Sequence, residues 1–393
     1  MTACLRNKKS NDPRDPVFAG SASCVKCHKD IYDSYLTTAH FQTSRPASIH
    51  SVHGSFLQNS NIFHFSKDKW IRMENHNGNL YQVAYVNGKK TEAEKFDITI
   101  GGVKAETYLY WKGKQLFEMP ISYFKALHGW TNSPGYDSGR MNFNRPILRR
   151  CLECHSSYIK EIPQPGINMA HKTVELDSTS LIYGIDCERC HGPAANHVNF
   201  HTQFPDEKKA KYITTYSSLT RSQKLDACAV CHSGNKGAFQ ISAFVFKQGD
   251  TLAKFREPDF SPQNPNPATM DVHGNQNGLL ASSKCFLMSN MDCSTCHNPH
   301  EKESLNLAVY SQKCMQCHNE ANHNFCKMPT QSGAILKNNC IDCHMPAKPS
   351  NVIRVESVDG KMAIPYMVRT HRIAVYPEES KKIMSFIKSQ KDF

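Results

Sequence analysis

Between Cys293 and His344 one short pattern occurs three times: Cys293-Ser-Thr-Cys296-His297, Cys314-Met-Gln-Cys317-His318 and Cys340-Ile-Asp-Cys343-His344. Four more copies lie upstream, Cys24-Val-Lys-Cys27-His28, Cys151-Leu-Glu-Cys154-His155, Cys187-Glu-Arg-Cys190-His191 and Cys228-Ala-Val-Cys231-His232, making seven. Two thiols held on one turn can add across the two vinyl groups of a single haem. The imidazole that follows is then placed to take the iron. A Cys-x-x-Cys pair alone also serves zinc or a disulfide, but neither needs His directly after every pair. His is 20 of 393 residues, so seven in seven would arise by chance with odds of roughly one in a billion against the haem pattern. The expected cofactor is seven haem c, with the fourteen cysteines as thioether sites and the seven motif histidines as proximal ligands.

Thirteen histidines remain outside the motifs, enough for a second ligand at every iron. His300 follows Cys296-His297 too closely to turn back to its own iron and is expected to reach a neighbouring haem. His197 follows Cys190-His191 in a similar way, and His40, His273 and His371 stand in segments with little other reason to carry a His. His171 and His323 are further candidates. His50, His53, His64, His76, His128 and His201 read as ordinary histidines. A distal methionine is a less expected alternative, with Met345 beside a motif as the example. Cys4, Cys285 and Cys326 are left over; the last two read either as a disulfide bracketing haems five and six or as two buried thiols.

Hydrophobic residues make up 39% of the chain, below the roughly 45–50% of ordinary globular proteins. Haem discs are expected to fill much of the core in their place. The formal charge of +12 is mostly offset by propionates, falling to roughly +5 with ferric and −2 with ferrous haems. Nucleic acid is therefore not an expected partner; donor and acceptor redox proteins are. No apolar stretch approaches the roughly 18 residues of a membrane span, and no secretory signal opens the chain. Haem is joined to this motif after export, so the expected location is the periplasm or outer cell surface. Met1-Thr-Ala-Cys4 reads either as the end of a lipoprotein signal, with Cys4 lipidated on a membrane, or as a stray cysteine.

Seven segments are expected along the chain. Residues 1–20 read as a linker or tether, 21–56 as the first haem module, and 57–147 as a β-rich insertion. In the first module a helix through Ile31-Tyr-Asp-Ser-Tyr-Leu36 presents His40. The insertion is free of cysteine, rich in aromatic and β-branched residues, and punctuated by Asn77-Gly78, Asn87-Gly88 and Lys112-Gly113. It reads as a lid over haem edges, with a docking platform as the alternative, and Gly129 to Arg145 reads as loop. Residues 148–245 carry haems two to four, 246–283 an extended proline-rich connector, and 284–350 haems five to seven. The tail, 351–393, starts strand-like at Val352 and ends in a helix from Glu378 to Gln390 behind Pro377.

Several stretches resemble multihaem cytochromes c: Ala39-His40 after the first motif, Gly184-Ile-Asp-Cys-Glu-Arg-Cys-His-Gly-Pro193 with His197, Cys296-His-Asn-Pro-His300, and Cys340-Ile-Asp-Cys-His-Met-Pro346. They are similar to the group of the tetrahaem cytochrome that accepts electrons from hydroxylamine oxidoreductase and to doubled Cys-x-x-Cys-His proteins. The resemblance covers the haem segments, about half the chain, and implies stacked haem pairs in a periplasmic setting. Seven motifs and the β insertion depart from the tetrahaem pattern. The expected fold is a multihaem cytochrome c with little regular structure, short α-helices around a haem array, and an inserted antiparallel β-meander. The expected function is electron transfer along covalently bound, mostly bis-His haems, with no catalytic residue. The alternative is an oxidoreductase acting on a nitrogen or sulfur oxyanion or hydroxylamine at one five-coordinate haem. Pentahaem nitrite reductases mark that haem with Lys in place of the motif His, and all seven motifs here end in His. A structural or filament-forming role is a third reading.

Overall fold

The computed structural model describes residues 11–136, 139–163, 174–234, 237, 239–257, 266–328, 333–356 and 363–389. Its largest regular part is made of strands β1 (Ser44–Pro46), β2 (Ile62–His64), β3 (Lys69–His76), β4 (Asn79–Val86), β5 (Lys89–Lys95), β6 (Ile98–Gly101), β7 (Ala105–Lys112), β8 (Gln115–Glu118), β9 (Ile121–Phe124), β10 (Gly129–Asn132) and β11 (Arg145–Pro146). They form two antiparallel sheets rather than one meander. One is the four-stranded β2-β3-β4-β5; the other is seven-stranded, running β1-β6-β7-β8-β11, with β9 pairing both β7 and β10. Asn77-Gly78 and Asn87-Gly88 close the β3–β4 and β4–β5 hairpins with positive φ at both residues, the two-residue geometry whose twist matches paired strands.

Alternation along β7 explains how the seven-stranded sheet is held. Tyr108 and Tyr110 enter one core with Phe63, Ile71, Met73, Phe96 and Trp130. Leu109 and Trp111 point the other way, into a second core with Ile98, Leu116, Leu152, Ile159 and Leu176. A side-chain period of two sends neighbours to opposite faces, so one strand serves both layers. The stretch Gly129 to Arg145, expected as loop, contributes β10 and β11, because Trp130 is 4% exposed and pairs with Tyr123 across the sheet. Its indole NH donates to the Ser55 carbonyl.

The second core carries the sheet onto the haem segments. Leu152 lies on helix Arg149–His155, which bears Cys151, Cys154 and His155. Ile159 and Leu176 lie on the hairpin β12 (Ser156–Ile162) and β13 (Glu175–Tyr183), which follows that helix. Fully burying each such side chain contributes about 1.5–3 kcal/mol, so the second motif is anchored to the sheet by ordinary apolar packing. Residues 12–20 are tied down as well. Arg14 forms ion pairs with Asp12, Asp186 and Glu188, and Glu188 accepts from the backbone NH of Ala19, Gly20 and Ala194.

Other motifs sit on helices or helical turns with identifiable caps. The Asp186 side chain accepts from the Arg189 NH at the start of Cys187–His191. Thr220 and Gln223 form a capping box before Arg221–His232, and Asp292 caps Cys293–Thr295. Each cap satisfies amide groups that a short helix leaves without partners. The connector expected to be extended contains helix Gln276–Ala281, which Asn275 caps and which buries Leu279. The tail forms a hairpin, β14 (Ala347–Glu356) with β15 (Ala363–Arg369), and a helix Pro377–Ser389 with Pro at its first position. Among the described residues no helix is long and apolar enough to cross a membrane.

Candidate haem sites

Four motif imidazoles each face a second imidazole from a distant part of the chain. Ring centres are 6.4 Å apart for His28 and His197, 5.8 Å for His191 and His300, 6.2 Å for His232 and His40, and 6.2 Å for His297 and His371. An iron between two imidazoles needs about this spacing: two bonds of about 2 Å and about 1 Å from each nitrogen to its ring centre give roughly 6 Å. The planes are near-parallel for the His28 and His191 pairs, at 11° and 6°, and near-perpendicular for His40 and His232, at 89°. A fifth motif histidine, His155, has its Nδ1 3.1 Å from the Thr43 hydroxyl. Burial, reinforced by the nearby His273 and His232 rings, holds its pKa down to about 4. Burial, with His297 and His232, likewise holds His371 at about 4. Both are therefore neutral at pH 7, the form that binds a metal.

Local structure places the second members of these pairs. The helix after the first motif ends at Tyr35, and His40 opens a following turn. The His40 carbonyl accepts from the Ile185 NH, so the ring is fixed by the end of β13 and reaches His232, not the adjacent motif. His197 lies on helix Ala195–Gln203 and fixes its Nδ1 on the Lys211 carbonyl, leaving Nε2 toward His28. His300 crosses to the His191 ring, 5.8 Å between ring centres.

Thiols also meet across motifs. Cys24 with Cys187, Cys154 with Cys231, Cys228 with Cys293, and Cys314 with Cys340 lie within hydrogen-bonding reach. Cys190 lies close enough to influence Cys228, and Cys296 to influence Cys314. Motifs one and three are thus neighbours, motif four touches two, three and five, and motifs six and seven continue from five.

The surroundings fit a large apolar group bearing carboxylates. Among the described residues, no hydrophobic side chain between Phe286 and Leu336 is buried, although two motifs lie there and Leu305 and Leu287 are 92% and 63% exposed. The Tyr35 hydroxyl and the Arg189 Nε are buried without a hydrogen-bond partner on those atoms, beside the motifs where propionates would need donors. A cavity of about 520 Å³ opens beside His191, lined also by Gly192, Pro193, Leu219 and Gln223.

Residues 125–192, which span the second and third motifs, match the family described as cytochrome c554 and c-prime. The multiheme cytochrome MtrA of Shewanella baltica (strain OS185) is 26% identical over 190 residues, 46% of this chain and 55% of that protein. The crystal structure of the outer cell wall cytochrome OcwA superposes with a TM-score of 0.53 at 15% identity, covering 93% of this chain and 81% of that one. Together with the seven attachment motifs, these matches support a multihaem cytochrome c. The specific tetrahaem group is a finer matter than these matches reach, since the family match takes in two of the seven motifs. The chain aligns with about half the length of the curated relative it matches, and its likeness to OcwA is one of fold.

Other candidate residues of the chain are not brought together. His318 and His344 point Nδ1 at the carbonyls of Asn324 and Ala374, and among the described residues neither ring contacts another imidazole. His323 is exposed in the turn after the sixth motif with φ +51°, and His171 lies outside the described residues. Cys285 and Cys326 are separate free thiols, which corrects the bracketing disulfide. Cys285 lies near Cys296, and Cys326 near Cys343. Sequence reasoning missed Glu303, whose carboxylate stands 2.8 Å from His297 Nδ1. It is six residues past the histidine, and no motif spacing marks it.

Proposed function

We propose that this multihaem cytochrome carries seven haems and transfers electrons along them, with five irons bound by two histidines each: His28 and His197, His155 and His273, His191 and His300, His232 and His40, His297 and His371. The observation that carries the reading is the 5.8–6.4 Å spacing of four imidazole pairs, which fits one iron in each gap and leaves no coordination position open there. The thiol contacts support an electron path one-three-four-five-six-seven, with haem two beside haem four. Haems one and seven then form the two ends that donor and acceptor proteins would reach. A location outside the cytoplasm agrees with the attachment chemistry and with the cell-wall setting named for OcwA. Attachment through a lipidated Cys4 would be tested by release from membranes on Cys4→Ser.

The reading is tested by replacing His40, His197, His273, His300 or His371 with Ala. Each variant should gain one high-spin haem that binds carbon monoxide when reduced, about one seventh of the total. Unchanged spin state and carbon monoxide uptake in these variants would overturn the ligand set. A second reading rests on His318 and His344, whose rings face no other imidazole among the described residues. If the unmodified protein binds carbon monoxide and turns over nitrite or hydroxylamine, the sixth or seventh haem is a reaction site and the cytochrome is an oxidoreductase.

A further inference from the structure

We infer that Glu303 holds down the reduction potential of haem five, making it the uphill station between haems one to four and haems six and seven. The inference rests on the proposed ligation of that haem by His297 and His371 and on its place in the path. Glu303 Oε1 lies 2.8 Å from His297 Nδ1, the ring nitrogen that faces away from the iron when Nε2 binds it. The contact is bent, since Nδ1 has no well-aligned hydrogen bond, so the effect is mainly that of a negative charge against the proximal ring. A carboxylate there makes the imidazole a stronger electron donor and stabilises the more positive ferric state. The Glu303 side chain is 67% exposed, which keeps it ionised at neutral pH and lets solvent screen part of the effect.

Four other motif histidines have neutral oxygens near Nδ1. These are the Thr43 hydroxyl at His155, the Gln276 amide at His232, and the backbone carbonyls of Asn324 and Ala374 at His318 and His344. At the second ring of haem five, His371 Nδ1 is buried with no well-aligned hydrogen bond, and its neighbouring polar group is the neutral backbone of Arg369. Of these five motif histidines His297 alone faces a carboxylate at Nδ1; at the second rings Asp271 acts on His273, Glu301 on His300, and Glu303 itself, from farther off, on His40 and His371. The position of haem five matters because Cys293 meets Cys228 of motif four while Cys296 is close to Cys314 of motif six. Every electron passing between the two ends of the proposed path crosses it, and a low potential at that point sets the height of the step. Glu303 is a positioning residue in this scheme: it acts through His297 and touches neither iron nor partner.

The test is a potentiometric titration of the complete haem-loaded protein, followed optically, for the parent and for Glu303→Gln. One of the one-electron steps should rise by about tenfold in its equilibrium constant, equivalent to about 59 mV, with the others little changed. Glu303→Asp should restore much of the parent value. The step is assigned to haem five in a His371→Ala background, where that haem becomes the high-spin component and its potential is read alone. If His371→Ala creates no high-spin haem, the ligand reading has failed. If it does, and Glu303→Gln leaves the potential of that haem unmoved, the inference about Glu303 is wrong.

Discussion

Replacing Gly184 with Ala should destabilise the protein and loosen the iron site proposed between His40 and His232. Gly184 has φ +65°, and a Cβ built there would lie 2.1 Å from the Phe41 carbonyl oxygen. A side chain in the left-handed region costs about 1–2 kcal/mol. An ordinary carbon contact is about 3.5 Å, so the strand end and the Phe41 backbone must separate by more than 1 Å. That movement strains two hydrogen bonds, from the Ile185 NH to the His40 carbonyl at 2.9 Å and from the Gly184 NH to Ser44 Oγ at 2.9 Å. Each is worth about 1 kcal/mol net, for a combined loss of about 3–4 kcal/mol. The same movement displaces His40 by a distance comparable to half an iron–nitrogen bond of about 2 Å, which should convert part of haem four to high spin. Denaturant unfolding and the spectrum of the oxidised protein read the two effects, and Ser44→Ala, which removes one hydrogen bond alone, should cost about 1 kcal/mol and leave the spin state intact. A Gly184→Ala protein with parent stability and wholly low-spin haem four would refute the argument that this glycine clamps the His40 segment.

Burial raises the pKa of Glu118 to about 7, with Arg145 opposing, whereas the unfolded chain titrates near 4.5. The folded state therefore holds the proton longer, and stability should fall by up to about 3 kcal/mol as pH rises from about 4.5 to 7, then level off. Glu118→Gln should flatten that span of the stability profile, and an unchanged slope would disprove the assignment. Glu106 is fully buried and is held by Arg45, His53 and Tyr108. Arg45→Met should leave its charge uncompensated at a cost of about 3 kcal/mol in denaturant unfolding; a loss below about 1 kcal/mol would show that His53 and Tyr108 suffice. Cys326 is exposed and should react with an alkylating reagent without reductant, while Cys285, its thiol pKa raised by burial, should react more slowly. Resistance of both until a reductant is added would restore the disulfide between them.

The sequence alone determined the cofactor chemistry, because attachment of a haem is local. Two thiols and an imidazole must share one turn, so five consecutive residues contain the whole requirement. The hairpin turns at Asn77-Gly78 and Asn87-Gly88 and the tail helix behind Pro377 were legible for the same reason: each is set by residues next to one another. Their two-sheet arrangement was not, because it depends on which face of β7 meets which core, and Trp130 was hidden in a segment rich in turn residues. The sequence also supplied a pool of candidate histidines for the far side of each iron, and His40, His197, His300 and His371, the rings found facing motif imidazoles, belong to that pool. Their partners were decided by tertiary structure. His40 passes its own motif to meet His232 because the end of β13 holds its backbone, and His300 meets His191 because the chain after the fifth motif folds against the third. The meetings of thiols across motifs belong to the same class. They depend on distances between segments far apart in the chain, which residue types and spacing do not encode.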